Sequence, residues 1–100
     1  MHTPTNPDEF LDLLDQAIFE TRDMLSAIET EGEEFDLGPY VGVFEALERI
    51  LVGLFEEIQG GRHVFGEGSL GFTEIVERYR RQIPFADVLD MLNTVQRDGF

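Results

Sequence analysis

Apolar or small residues recur along two long segments of this chain at alternating steps of four and three positions. The two sets are Phe10, Leu14, Ala17, Thr21, Met24 and Ile28, then Tyr40, Phe44, Leu47, Leu51, Leu54 and Ile58. This spacing places each set along one side of an α-helix. The pattern therefore predicts two long helices, each packed into a globular core.

Local signals predict where these helices begin and end. Asn6 caps a helix, Pro7 suits its first position, and Glu9 stands where a capping-box carboxylate reaches back. We expect helix 1 over Pro7–Thr30, a break over Glu31–Gly38, helix 2 over Pro39–Gln59 and a stop at Gly60–Gly61. Residues 1–6 are predicted to be a disordered lead-in, and residues 7–100 to form a single helical domain.

Two shorter amphipathic segments follow, predicted as helices over Phe72–Gln82 and Phe85–Arg97 with Pro84 between them. Neither is long enough to be stable alone. The fold class predicted is all-α: an antiparallel hairpin of two long helices covered by two short ones, similar to a four-helix bundle. In that hairpin we expect Phe10 near Ile58, and Ala17 near Leu51.

The negative charge of the chain is concentrated in its first half. The formal net charge is −14, and residues 1–61 contain fifteen acidic residues against two arginines. A field of this sign repels nucleic acid and attracts basic surfaces. We therefore expect a protein partner with a basic surface and no direct binding of DNA or RNA.

Several chemistries lack the residues they need. The seven basic residues are all arginine and there is no cysteine, which excludes lysine Schiff bases, disulfides and thiolate sites. Gly66–Gly71 spells G-x-G-x-x-G, but it follows a predicted helix instead of a strand, so no nucleotide cofactor is expected. The isolated His63 is interpreted as a plain loop residue, and no metal site or catalytic constellation is predicted.

No apolar run approaches the roughly 20 residues that cross a bilayer. The first residues also lack the basic and apolar regions of a signal peptide. The expectation is a cytoplasmic protein that does not contact membranes.

Phe19 is the residue that departs most from the hydrophobic pattern, since helical spacing places it among the polar residues of helix 1. An aromatic ring surrounded by carboxylates is typical of an interface anchor with a charged rim. The predicted partner-binding residues are Asp12, Asp15, Phe19, Asp23, Glu33 and Glu34. The alternative is that Phe19 packs under the 32–38 loop or against a short helix.

The function predicted from these features is a non-enzymatic protein-interaction module: an adaptor, chaperone-like factor or inhibitor. It is expected to bind its partner through Phe19 and the acidic side of helix 1, or through the glycine-rich loop over residues 60–71. One alternative is an acidic decoy that blocks a nucleic-acid-binding protein. Another is a structural homodimer assembled through the small residues Gly42, Ala46 and Gly53, which otherwise indicate close packing within the domain. The basic cluster Arg78, Arg80 and Arg81 is expected to meet acids of helix 1 or of a neighbouring molecule.

Overall fold

The computed structural model describes residues 2–35, 38–66, 68 and 70–100, with residues 31–35 described by their backbone only. Within these ranges the chain is all-α. The helices are α1 (Pro7–Phe35), α2 (Val41–Gln59), α3 (Thr73–Tyr79) and α4 (Ala86–Asp98), with 3₁₀ turns at Gly38–Tyr40 and Arg80–Gln82. The described residues contain no β-strand, so the predicted fold class is confirmed.

The start of α1 is capped as the sequence predicts. The Asn6 Oδ1 atom accepts a hydrogen bond from the Glu9 backbone N–H at 2.9 Å. The Glu9 carboxylate reaches one residue further back than a standard capping box, because it accepts hydrogen bonds from the Thr5 backbone N–H at 2.8 Å and from the Thr5 hydroxyl. These contacts join part of the predicted lead-in to α1.

The predicted end of helix 1 at Thr30 is wrong, because α1 continues to Phe35. Glu31, Glu33 and Glu34 are good helix formers, and one intervening glycine costs only about 1 kcal/mol. The acid-rich run therefore extends the helix instead of breaking it. The end of α2 agrees with the prediction: Gly61 takes a φ of 72°, and the Arg62 N–H donates to the Glu57 carbonyl at 3.1 Å in a Schellman arrangement.

The long helices α1 and α2 pack along each other as a hairpin. The predicted seam positions are buried at most points, including Phe10, Leu14 and Ala17 on α1. Thr21 is fully buried, and its hydroxyl donates to the Ala17 carbonyl at 2.7 Å, which satisfies the polar atom. Arg22 Nε donates to Glu48 Oε2 at 3.0 Å, within one helical turn of the predicted antiparallel register.

The short helices cover one face of this hairpin, called here the covered face. Helix α4 packs against α1, and α3 packs against α4. An aromatic cluster closes one end of the covered face: the Phe10 ring lies 5.0 Å from that of Phe65, and Phe65 lies 4.7 Å from Phe100. The buried hydrophobic residues of all four helices thus form one continuous core.

Candidate protein-interaction surface

Phe19 projects from the side of α1 opposite the core. It is nine residues from Phe10, and at 100° per residue this separation turns the side chain half a revolution away. The Phe19 side chain is 66% exposed, whereas Phe10 is completely buried. A ring covered by α3 or α4 would not show this exposure, so the alternative that Phe19 packs against a short helix is wrong. The other alternative, packing under the 32–38 loop, involves side chains outside the described residues.

Three of the predicted carboxylates surround Phe19 on the same helix. Asp12, Asp15 and Asp23 are all exposed, and they lie seven residues before, four before and four after the aromatic ring. We call these three aspartates and Phe19 the outer face of α1. The remaining predicted partner-binding residues, Glu33 and Glu34, have side chains outside the described residues.

The ion pairs formed by α1 leave these aspartates unpaired within the described part of the chain. The paired acid of α1 is Glu9, which lies 3.0 Å from His2 Nε2, and the paired base is Arg22, bound to Glu48. The Thr5 hydrogen bonds and His2 keep the pKa of Glu9 below its ordinary value. The carboxylates beside Phe19 therefore remain available to a cation from outside.

Among the described residues, no arginine of the second half forms an ion pair with these aspartates. Arg80 forms a two-point contact with Asp90 of α4, at 2.7 and 3.0 Å, and this pairing raises the pKa of Arg80 above its ordinary value. Arg80 therefore meets an acid of α4, whereas an acid of helix 1 or of a neighbouring molecule was expected for the cluster Arg78, Arg80 and Arg81. The expectation of a helix 1 acid is wrong for Arg80. Since the basic cluster is partly engaged within its own half, the outer face keeps its negative field.

His63 has a more specific environment than the sequence indicates. Its side chain is only 10% exposed, with Nδ1 at 3.3 Å from Glu57 Oε2 and Nε2 at 2.5 Å from Gln96 Oε1. Gln96 in turn donates from Nε2 to the Val64 carbonyl at 2.9 Å. The interpretation of His63 as a plain loop residue is therefore wrong, because its ring ties the loop after α2 to α4. The sequence held one weak signal of this: in an extended segment, His63 and Phe65 point to the same side, opposite Val64.

The small residues of α2 lie away from the core. Gly42 and Gly53 are exposed, and a Cβ atom built on either has no neighbour within 4 Å. The interpretation that they mediate close packing within the domain is wrong for both glycines. Ala46, between them, is half-buried.

Other kinds of site find little support in this geometry. Among the described residues, no group of three or more His, Asp and Glu side chains converges as a metal-ion site. None of the helices in the described ranges combines the length and apolar character required to span a membrane. Comparison of the chain with family models, curated proteins and solved structures found no match.

Proposed function

We propose that the protein is a small acidic interaction module that acts by binding and not by catalysis, and that its partner is a protein with a basic surface. The single observation that supports this is the exposed ring of Phe19 on the outer face, between carboxylates that form no ion pair among the described residues. The proposal retains the cytoplasm as the expected location.

The two parts of the outer face have different roles in such a complex. Covering an exposed phenylalanine removes apolar surface from water and contributes roughly 1.5–3 kcal/mol. The aspartates contribute mainly to the rate of association and to orientation, because surface charges are screened at physiological salt. Affinity is therefore expected to depend on Phe19, and association rate on Asp12, Asp15 and Asp23.

The test is affinity capture with the tagged chain at low and high ionic strength, followed by titration of the purified captured protein. Phe19→Ala is expected to raise the dissociation constant by about tenfold or more. The triple variant Asp12→Asn, Asp15→Asn, Asp23→Asn is expected to slow association and flatten its salt dependence. Val64→Ala is the matched control, because Val64 is an exposed apolar residue (59%) in the loop after α2.

Binding that ignores both salt and Phe19 would contradict the proposal. The same experiment separates the alternatives. A decoy predicts that the captured protein is displaced by RNA or DNA, and a structural homodimer predicts a doubled mass in light scattering that Gly42→Leu or Gly53→Leu abolishes.

A further inference from the structure

A second feature lies beside the outer face, in the groove between α1 and α2 on the side away from α3 and α4. Its volume is about 260 Å³, and its apolar lining is Ile18 from α1 with Val52 and Phe55 from α2. Ile18 is buried in the hairpin, while Val52 and Phe55 are only half-buried. We call this the α1–α2 groove. Two large side chains thus retain apolar surface that the short helices do not cover.

The rim of the α1–α2 groove is negatively charged. Asp15 and Glu56 stand on its two sides, both exposed, and neither takes part in an ion pair among the described residues. The one base on the rim, Arg22, is already bonded to Glu48 at 3.0 Å. An occupant of this groove must therefore be apolar towards Val52 and Phe55 and positively charged towards the rim.

The shape of the site indicates which kind of segment meets both requirements. The groove runs between two packed helices, and the ridges of a third helix fit such a groove by ordinary helix packing. Helical spacing brings apolar residues at i, i+3, i+4 and i+7 onto one stripe, flanked by positions that can carry Lys or Arg. A second copy of this chain is electrostatically unfavourable, because its own long helices carry the same negative charge.

We propose that the α1–α2 groove seats a basic amphipathic helix of the protein partner, an inference that rests on the proposed function and names the segment recognised. The apolar stripe of that helix covers Val52 and Phe55, and its cations meet Asp15 and Glu56. Phe19 precedes Arg22 by one helical turn, so its exposed ring stands next to the groove, where a partner Arg or Lys contacts its face as a cation–π pair.

The probe is a fluorescein-labelled peptide of Leu and Lys, with Leu at i, i+3, i+4 and i+7, followed by fluorescence anisotropy at low salt. Two control peptides carry the same Leu positions with Glu in place of Lys, and the same Leu and Lys composition in strict alternation. The chain is expected to bind the first peptide at least about tenfold more tightly than either control, and circular dichroism is expected to show the bound peptide gaining helix.

Two groove variants are compared with one charge-matched variant elsewhere. Val52→Lys places a cation on the lining of the groove, and Asp15→Lys places one on its rim. Each is expected to weaken peptide binding by about tenfold or more, because the new charge repels the basic peptide. Glu74→Lys makes the same change in net charge as Asp15→Lys, at an exposed position on α3, and is expected to change binding by less than about threefold. Urea unfolding of every variant checks that the fold is retained.

Three results would overturn this inference: no binding of the helical peptide, equal binding of the alternating peptide, or equal losses in Asp15→Lys and Glu74→Lys with Val52→Lys unchanged. If partner capture still depends on Phe19 in those cases, the proposed function stands and only the groove is wrong. If light scattering shows a dimer that Val52→Lys dissociates, the occupant is a second copy and not a basic helix.

Discussion

The covered face and the uncovered side of the α1–α2 hairpin are built from the same helices but differ in what their side chains contact. On the covered face, Phe10 is fully buried against Phe65, and the loop after α2 is tied to α4 through Gln96. On the other side, Phe19 and Asp15 are exposed and Val52 is only half-buried. Under the proposed function, stability depends on one side of this helix pair and recognition on the other.

The test with the largest expected effect compares two phenylalanines of the same helix. Phe10→Ala is expected to lower the free energy of unfolding by about 3–5 kcal/mol, because it leaves a cavity in the core. Phe19→Ala is expected to change it by less than about 0.5 kcal/mol, since the ring is already in water. Urea unfolding followed by circular dichroism measures both. Similar losses in the two variants would show that Phe19 has a structural role and would remove the basis of the comparison.

The next test concerns the polar contacts that close the covered face. Gln96→Leu keeps most of the side-chain volume but removes the partners of the Val64 carbonyl and of His63 Nε2. Leaving these part-buried polar atoms without hydrogen-bond partners is expected to cost about 1 kcal/mol of unfolding free energy. Gln16→Leu, at an exposed position of α1, is the matched control and is expected to stay within about 0.5 kcal/mol. An equal response of the two variants would place the Gln96 contacts outside the stabilising core.

The covered face shows how far the sequence alone leads. Seam spacing predicted the two long helices and most of their buried positions, because a helical period is a property of the local sequence. The extension of α1 to Phe35 was missed, since one glycine among glutamates is a weak helix terminator. The environment of His63 was also missed, because Gln96 lies 33 residues away in the sequence and only the folded chain brings it to the ring that Glu57 also contacts.

The candidate surface was predicted in part. The position of Phe19 on the polar side of α1 follows from helical spacing, and its exposure agrees with that placement. The α1–α2 groove does not follow from either helix alone, because its lining combines Ile18 with Val52 and Phe55 from the other helix. Which flank of the hairpin stays uncovered depends on where α3 and α4 dock, and periodicity carries no information about that choice.

A smaller change in the free energy of unfolding, and a gain instead of a loss, is expected at the exposed Gly53 of α2. Gly53→Ala is expected to raise the free energy of unfolding by about 0.5–1 kcal/mol, because alanine favours the helix and its Cβ meets nothing within 4 Å. Gly61→Ala is the matched control. Because the backbone of Gly61 has a φ of 72°, which disfavours a side chain, this variant is expected to lower the free energy of unfolding by about 1–2 kcal/mol. Thermal unfolding at low protein concentration measures both. A loss of stability in Gly53→Ala would indicate that another surface, such as a second copy of the chain, packs closely on this glycine.

The smallest expected effect concerns Glu9, a carboxylate of α1 that is bound by Thr5 and His2 of the same chain. Asp12 and Asp15, by contrast, form no ion pair among the described residues. The Thr5 hydroxyl and backbone N–H donate to Glu9 and lower its pKa from the ordinary 4.5. Because the folded-state pKa is the lower one, the stability that Glu9 contributes is present above the ordinary pKa and is lost as the pH falls through the lowered value.

Thr5→Val removes the hydroxyl donor and keeps the backbone N–H, so the pKa of Glu9 is expected to rise part of the way to its ordinary value. An NMR titration of the Glu9 side-chain carboxyl carbon measures this shift, and His2→Ala is the companion variant, expected to give a smaller rise because His2 contributes less than Thr5. If neither variant moved the Glu9 titration, the capping contacts would not exist in solution. The separation between carboxylates engaged at the start of α1 and carboxylates left for a partner on its outer face would then be lost.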